Sequence, residues 1–537
     1  MTEPTAAPTP DAPPAAELLV RTEPLGGSAL TRAALAGGAP PGWYPPAPAG
    51  ADEWRLHADA VRQQFSAGAW LELLAPALDA RGAASARLAE VAGGAGAVVT
   101  TGQQPGLFGG PLYTLSKAIS ALALADALQA ATGVPVAPVF WAATDDADFA
   151  EASTAHVASG DGLTTLRIST DAQDGTPMSA VPLGGDVVAL GERLAAASGS
   201  QPHPAALRDA LETFAPGATV GGAYVAWLRR TLEPLGIAVL DASHPAVGDG
   251  AFQLLRRALL SSATIEGALA ERAAALSAAG FHPQVANVPG RSVVFRYDAS
   301  GAKARVPVAE ARGLVTKVRR GELGPNVLLR PVVERFLLPT LAYVAGPGEY
   351  AYFAQVSAVA TALGVAQPLA VPRWSGTVVE PWVRRAMRRL GAEVDQVADP
   401  DALAARLARG RLGTPFDQAL AALRRAVDDG VAGLAAAAPS AGRRVVDGAR
   451  GQLVHRIDRL ERRLVAAEKR RDAATARDLA AVTAALHPLG SRQERVLNPV
   501  PLLARYGPAL VDAMLGEARR HAEGLVARGV GRHPITR

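Results

Sequence analysis

The sequence predicts an α/β protein: a Rossmann-like, doubly wound parallel sheet with connecting insertions, followed by a C-terminal α-helical coiled coil. Three observations lead there. A pattern of apolar strand, loop and helix recurs three times between residues 97 and 371, which implies parallel pairing with right-handed crossovers. Further on, Leu453, Ile457, Leu460, Leu464 and Ala467 step by 4, 3, 4 and 3, an a/d heptad seam. Hydrophobic residues make up 49% of the 537, ample for one large core with appendages.

In chain order, residues 1–50 read as a disordered or irregular tail, rich in Ala, Pro and Gly (GGAPPGWYPPAPAG at its end). Residues 51–92 carry two amphipathic helices with Trp54, Phe65, Trp70 and Leu71 on apolar faces. The first unit of the sheet is a strand at Ala97–Thr101, a Gly/Pro loop, a helix from about Pro111 to Ala131, and a strand at Val136–Trp141. The second is a helix at Ala223–Leu235 with a strand at Ile237–Leu240. The third is a strand at Leu341–Val344, a helix at Glu349–Leu363 and a strand at Leu369–Val371. Residues 152–222 (polar, Gly-rich, irregular) and 281–330 (a hairpin turning at 298–301, with Val293, Val294 and Phe295 on one arm) read as insertions. The core thus spans 51–383. Residues 384–537 form a helical coiled-coil domain, an antiparallel helical pair or a short coiled coil, with the C-terminal segment packing back on the core.

Composition narrows the function classes. The net charge of +4 is spread thinly over the chain, so no nucleic-acid or membrane partner is expected. Only four of the 54 basic residues are lysines, which makes Lys117, inside the most unusual motif, informative. The absence of cysteine excludes disulfides, thiolate nucleophiles and Cys-based metal sites. Nine scattered histidines lack ligand spacing, so no zinc site is expected. The N-terminus does not read as a signal peptide, and the most apolar stretch, 118–143, is interrupted by Asp126, Gln129, Gly133 and Pro135. A cytoplasmic protein is expected.

Four runs carry candidate chemistry, each at the C-terminal end of a core strand, where open α/β sheets bind ligands. Thr101-Gly102-Gln103-Gln104 leads through Gly109 and Gly110 to Tyr113 and Lys117. Glycines between a strand and a helix let backbone approach a ligand, and a helix N-terminus suits an anion; the plain structural alternative is a tight turn. Asp145, Asp146 and Asp148 follow the next strand, suited to hold an amine or Mg²⁺ or to act as a general base, or alternatively to cap a helix. Gly346-Pro347-Gly348-Glu349, with Tyr352, forms a second cradle, Glu349 equally serving the helix dipole. Arg373 and Ser375 follow the last strand, Arg373 as a phosphate or carboxylate binder or a structural ion pair. His282 and Gln284, and Asn326 and Arg330, are weaker ligand-binding candidates on the second insertion.

Together these runs resemble the bacillithiol-biosynthesis cysteine-adding enzymes, the BshC family. The family pattern TGQQ-x-GLF-x-GPLYT-x-x-K matches Thr101 to Lys117, FW…EDHD matches Phe140–Asp148, GGPGE-x-AY matches Ala345–Tyr352, PR-x-S-x-T-x-x-E matches Pro372–Glu380, and QER-x-LN matches Gln493–Asn498. The resemblance runs in order from about residue 90 to the end. It implies the last step of bacillithiol synthesis, addition of L-cysteine to the amine of glucosaminyl malate, on a Rossmann-like core with a dimerising coiled coil. The fold also resembles class I aminoacyl-tRNA synthetases, with the Gly110–Tyr113 corner at the HIGH position and the Arg373–Ser375 loop near KMSKS, an analogy of fold alone. Departures are Asp145 for the family Glu, Ala147 for its His and Ala345 for its first Gly.

On this reading the expected activity is ATP-dependent amide formation, with Mg²⁺ a possible companion of the nucleotide. Asp145, Asp146, Asp148 and Lys117 take the catalytic roles, Lys117 and Arg373 stabilise phosphate, the helix starts at Gly110 and Gly348 bind anionic groups, and Arg330 meets the malate carboxylates. A homodimer through the coiled coil is expected. Ala147 keeps two alternatives open: a ligase of the same fold with another amino acid or amine, or a non-catalytic dimeric protein that binds a nucleotide or other ligand.

Overall fold

Five short apolar runs become the strands of one sheet in the computed structural model: β1 (Ala97–Gln103), β2 (Val136–Ala142), β3 (Ala238–Asp241), β4 (Thr340–Ala345) and β5 (Ala370–Pro372). The structure describes residues 18–65, 68–94, 96–160, 162–299, 301–438 and 443–530. The strands pair in the order β5-β4-β1-β2-β3, all parallel. Strand side chains alternate between faces, so Val99, Phe140, Val239 and Val344 join one buried cluster and Val98, Val139, Leu240 and Tyr343 the other. A sheet covered on both faces needs apolar residues at consecutive positions, which is why these strands read as unbroken apolar runs.

Helix α1 (Tyr113–Thr132) follows β1 and packs with the first cluster; α2 (Pro347–Leu363) follows β4 and packs with the second. The loops leaving β1 and β4, which are neighbours, therefore turn to opposite faces. That divergence opens a crevice at their C-terminal ends, the topological switch point of the fold.

Residues 18–50 are more ordered than the expected tail. Leu19–Thr22 is a strand pairing with Gly376–Val379, and Ala29–Leu35 is a helix capped by the Ser28 hydroxyl; the remainder of the predicted tail, 1–17, lies outside the described residues. Three helices, not two, occupy the next stretch: Ala51–Arg62, Ala69–Leu78 and Gly82–Gly93. The last two are separated where Asp79 takes a left-handed conformation (φ 38°) that ends the helix. The first insertion is not irregular either: strands Thr154–Ser159 and Gly162–Arg167 pair, and helices Asp186–Ser198 and Pro204–Thr213 follow. Its polar composition hid short helices that bury only one stripe, such as Val187, Leu190 and Leu194. In the second insertion Arg291–Tyr297 pairs antiparallel with Lys303–Pro307, as the hairpin pattern predicts, and also with Leu323–Pro325; Ser300 at its turn lies outside the described residues.

The chain forms two compact units. One holds the residues up to Val157, Thr164–Val378 and the residues from Gln493 on; the other holds Ala158–Leu163 and Val379–Arg492. The division falls at Val378, and Pro508–Arg528 packs along α1 in the first unit. The second unit is helical, with Pro400–Ala437 and Arg443–Arg471 packed on each other. Ion pairs Lys469–Asp401, Arg424–Asp458 and Arg450–Asp428 fall in number on one helix as they rise on the other, so the pair is antiparallel. Of the heptad seam only Ile457 is buried (6% exposed), while Leu453, Leu460 and Leu464 are 41%, 46% and 42% exposed. Among the described residues no helix is long and apolar enough to cross a membrane.

Candidate active site

The crevice at the β1/β4 switch point is a cleft of about 740 Å³. Its floor is a chain of hydrogen bonds that spans the strand ends. From α1, the buried Lys117 Nζ donates to the Gly102 carbonyl at 2.7 Å and to Gln103 Oε1 at 2.8 Å, and meets Glu349 Oε2 at 2.6 Å. Glu349 in turn accepts from the Tyr343 hydroxyl at 2.5 Å and from the Gly346 N–H at 2.7 Å, closing the start of α2. Burial works against the Glu349 carboxylate, but Lys117 and these donors outweigh it and hold its pKa below the usual range. In the other direction Gln103 Nε2 donates to Tyr113 Oη at 3.1 Å; that hydroxyl and Gln104 Nε2 both donate to Glu151, at 3.1 and 2.6 Å. One lysine therefore ties the end of β1 to the end of β4.

The acidic loop after β2 forms a wall. Burial raises the Asp145 carboxyl above the usual carboxylate range, with Lys303 pulling it back down. Partial exclusion of water raises Glu151 as well, against its bond from Tyr113. Asp148 caps a single helical turn: its Oδ1 accepts from the Glu151 N–H at 3.1 Å, while its own N–H donates to Asp146 Oδ1 at 2.8 Å. A carboxylate of raised basicity beside a polar cleft is the arrangement general-base chemistry needs.

The cleft gathers most of the predicted site. Lined by Gly102, Gln103, Gln104, Tyr113 and Lys117 on one side, it takes Asp145, Asp146 and Asp148 from the acidic loop. Gln284, Asn326 and Arg330 reach it from the insertion, and Gly346, Gly348, Glu349, Tyr352 and Arg373 from the far strands. Five predicted residues do not line it. Thr101 is buried, its hydroxyl donating to the Val344 carbonyl at 2.8 Å. Gly109 packs on Trp227, where a Cβ would lie 2.5 Å from the ring, and Gly110 belongs to a turn whose carbonyls face Asn498. His282 is exposed away from the cleft. Ser375 donates to Glu494 at 2.7 Å.

Two expected roles change with these contacts. The helix start near Gly110 is a sealed corner: the Asn498 amide donates to the carbonyls of Leu107, Phe108 and Gly110 at 3.2, 3.0 and 3.1 Å, and the Leu112 N–H donates to the Leu497 carbonyl. The Leu112 N–H is thereby taken up within the chain, and neither Gly109 nor Gly110 lines the cleft. Arg373 forms a buried bidentate pair with Glu494 at 2.7 and 2.6 Å, and Arg330 pairs with Glu334 at 2.7 Å while lying 5.0 Å over the Tyr343 ring. Lys117, Arg330 and Arg373 thus each present a neutralised pair rather than a free cation.

Sequence reasoning missed several lining residues. Glu151 closes the Asp145 motif but has the look of a helix-cap acid. Lys303 is one of the four lysines, and Arg495 lies in the Gln493–Asn498 run; both signals were present. Trp141, Phe295, Arg305 and Tyr343 line the cleft from strand positions that read as ordinary sheet residues.

The same geometry accounts for the late Gln493–Asn498 run. Gln493 pairs with the Val378 backbone in both directions at 2.8 Å, Glu494 clamps Arg373, and Asn498 seals the glycine corner. Residues 70–374 match the family described as the N-terminal Rossmann-like domain of bacillithiol biosynthesis BshC, and residues 376–524 match its C-terminal coiled-coil domain. The chain belongs to the BshC family. It is 34% identical to a Koribacter versatilis protein named "Putative cysteine ligase BshC", over 85% of this chain and 88% of that one. A Solibacter usitatus protein of the same name is 33% identical over 76% and 80%, and one from Salinibacter ruber 29% identical over 79% and 80%. Within the BshC pattern, this chain's Ala147 lines the cleft beside Asp146 and Asp148.

Proposed function

We propose that the cleft joins the carboxylate of L-cysteine to the amino group of glucosaminyl malate, with ATP consumed, in the cytoplasm. Family membership supports a ligase of bacillithiol biosynthesis. The observation that carries the chemistry is the Asp145 carboxyl, raised by burial and set in the cleft wall. ATP converts the cysteine carboxylate to an acyl adenylate, releasing pyrophosphate, or to an acyl phosphate, releasing ADP. The sugar amine attacks that carbonyl, the C–N bond forms, AMP or phosphate leaves, and the amine's proton passes to Asp145. The Lys117–Glu349 pair fixes the strand ends on either side. Gly346 and Gly348 leave room for close backbone approach, since a Cβ on Gly346 would lie 3.2 Å from Glu349 Oε2. Mg²⁺ would arrive with the nucleotide phosphates; among the described residues no group of three His, Asp or Glu is placed to hold an ion. Exposed Leu453, Leu460 and Leu464 support a homodimer through the coiled coil.

The test is mass spectrometry of purified protein with glucosaminyl malate, cysteine, ATP and Mg²⁺, beside an ATP-free control. Bacillithiol formed only with ATP is the expected result; product without ATP overturns the ATP step. Ala147 in the cleft wall favours a second reading, a ligase of the same fold acting on another amino acid or amine. Binding of glucosaminyl malate or nucleotide without product would select it or a ligand-binding role.

A further inference from the structure

The cleft contains cations of two kinds. Lys117, Arg330 and Arg373 are each closed by a carboxylate at 2.6 to 2.7 Å. Lys303, Arg305 and the solvent-exposed Arg495 are not: among the described residues none of them has a carboxylate within ion-pair distance, and all three line the cleft, Lys303 and Arg305 from one hairpin. Cross-strand register explains why these two face it together. Phe295 pairs with Arg305 and Tyr297 with Lys303 across the antiparallel hairpin. Directly paired residues share a face, as do positions two apart on a strand, so all four project to one side.

The Phe295 ring organises the two charges. Lys303 Nζ lies 5.1 Å and the Arg305 guanidinium 5.7 Å from its centroid, a placement that holds cations in position without neutralising them. Burial disfavours the Arg305 charge, and a half-buried guanidinium without a counter-ion bears a desolvation cost that a bound anion would offset. Lys303 Nζ also donates to the Asp145 main-chain carbonyl at 2.7 Å, so this positive face adjoins the raised carboxyl.

We propose that Arg305, assisted by Lys303, is the carboxylate-recognising subsite of the cleft and takes the malyl end of the amine substrate, in place of the neutralised Arg330. The assignment of the malyl group rests on the ligase reading above; the anion subsite rests on the hairpin geometry alone. Amine and malyl group occupy neighbouring carbons of the sugar. A subsite adjoining Asp145 therefore places the amine beside the base when the carboxylates are bound.

Isothermal titration of the full chain with L-malate, glucosaminyl malate and methyl glucosaminide tests this, using wild type, Arg305→Gln, Lys303→Gln and the double variant, with thermal unfolding to verify folding. Arg305→Gln should weaken glucosaminyl malate and L-malate binding by roughly 10-fold and the double variant by roughly 100-fold, the scale of charge-assisted hydrogen bonds, with partial recovery in Arg305→Lys. Loss of L-malate binding in the folded variants, with glucosaminyl malate bound no tighter than L-malate, upholds the anion subsite while sinking the ligase substrate. Glucosaminyl malate binding that is unchanged in Arg305→Gln overturns the subsite while leaving the ligase intact. Failure of the wild type to bind either carboxylate overturns the subsite outright.

Discussion

Asp145 shows how one residue's surroundings set its chemistry. Burial raises its pKa and Lys303 lowers it, and the proposed base role requires it deprotonated. Activity is therefore lost as pH falls through the raised pKa, and the acid limb of kcat/KM should lie above the ordinary aspartate value of about 3.9. Lys303→Met removes the lowering charge and should move that limb to higher pH; a profile with an unmoved limb would remove Asp145 from the base role. Gly109 shows a residue chosen by space. Its φ is 93° and a Cβ would lie 2.5 Å from Trp227, so Gly109→Ala should cost roughly 2–4 kcal/mol from overpacking and backbone strain together, seen as a lowered denaturation midpoint.

Among the elements, the segment Gln493–Asn498 fastens three segments of the core, and of its residues Arg495 lines the cleft. Removing the Glu494 charge in Glu494→Gln leaves Arg373 buried without its partner, and breaking such a pair costs about 3–5 kcal/mol; Asn498→Ala should cost less, about 1–3 kcal/mol, because neutral carbonyls lose a donor. Urea unfolding of both variants measures that order, and the reverse order would mean that the corner, not the ion pair, anchors the segment. The hairpin Arg291–Pro307 was legible from its apolar arm and turn, but its service to the cleft was not. Strand alternation says which residues share a face, and nothing local says what that face meets.

For the whole molecule, five parallel strands in the order β5-β4-β1-β2-β3 place the cleft where the order in which strands join the sheet reverses about β1. The antiparallel helical pair leaves Leu453, Leu460 and Leu464 over 40% exposed, a row of leucines that a second copy would cover. Size-exclusion chromatography with light scattering should give twice the 55.1 kDa chain mass. Leu460→Glu with Leu464→Glu should return it to one, since a charge buried in an apolar seam is costly. A monomeric wild type would remove the dimer.

Much was written locally. Apolar runs of strand length, glycines at strand ends and the heptad step sufficed for the fold class, because period and punctuation act within a few residues. Sixteen of the predicted site residues line one cleft for a related reason: in a doubly wound sheet, residues just past strand C-termini meet at the switch point. What tertiary structure alone decided was the charge state of that cleft. Lys117 and Arg330 read as free cations, and Arg373 as either an anion binder or a structural ion pair; the structure sets Glu349, Glu334 and Glu494 beside them, and two of the three pairs, Lys117–Glu349 and Arg373–Glu494, are more than 100 residues apart. Whether a buried charge is available to a ligand depends on its nearest opposite charge in space, and sequence spacing carries almost none of that distance.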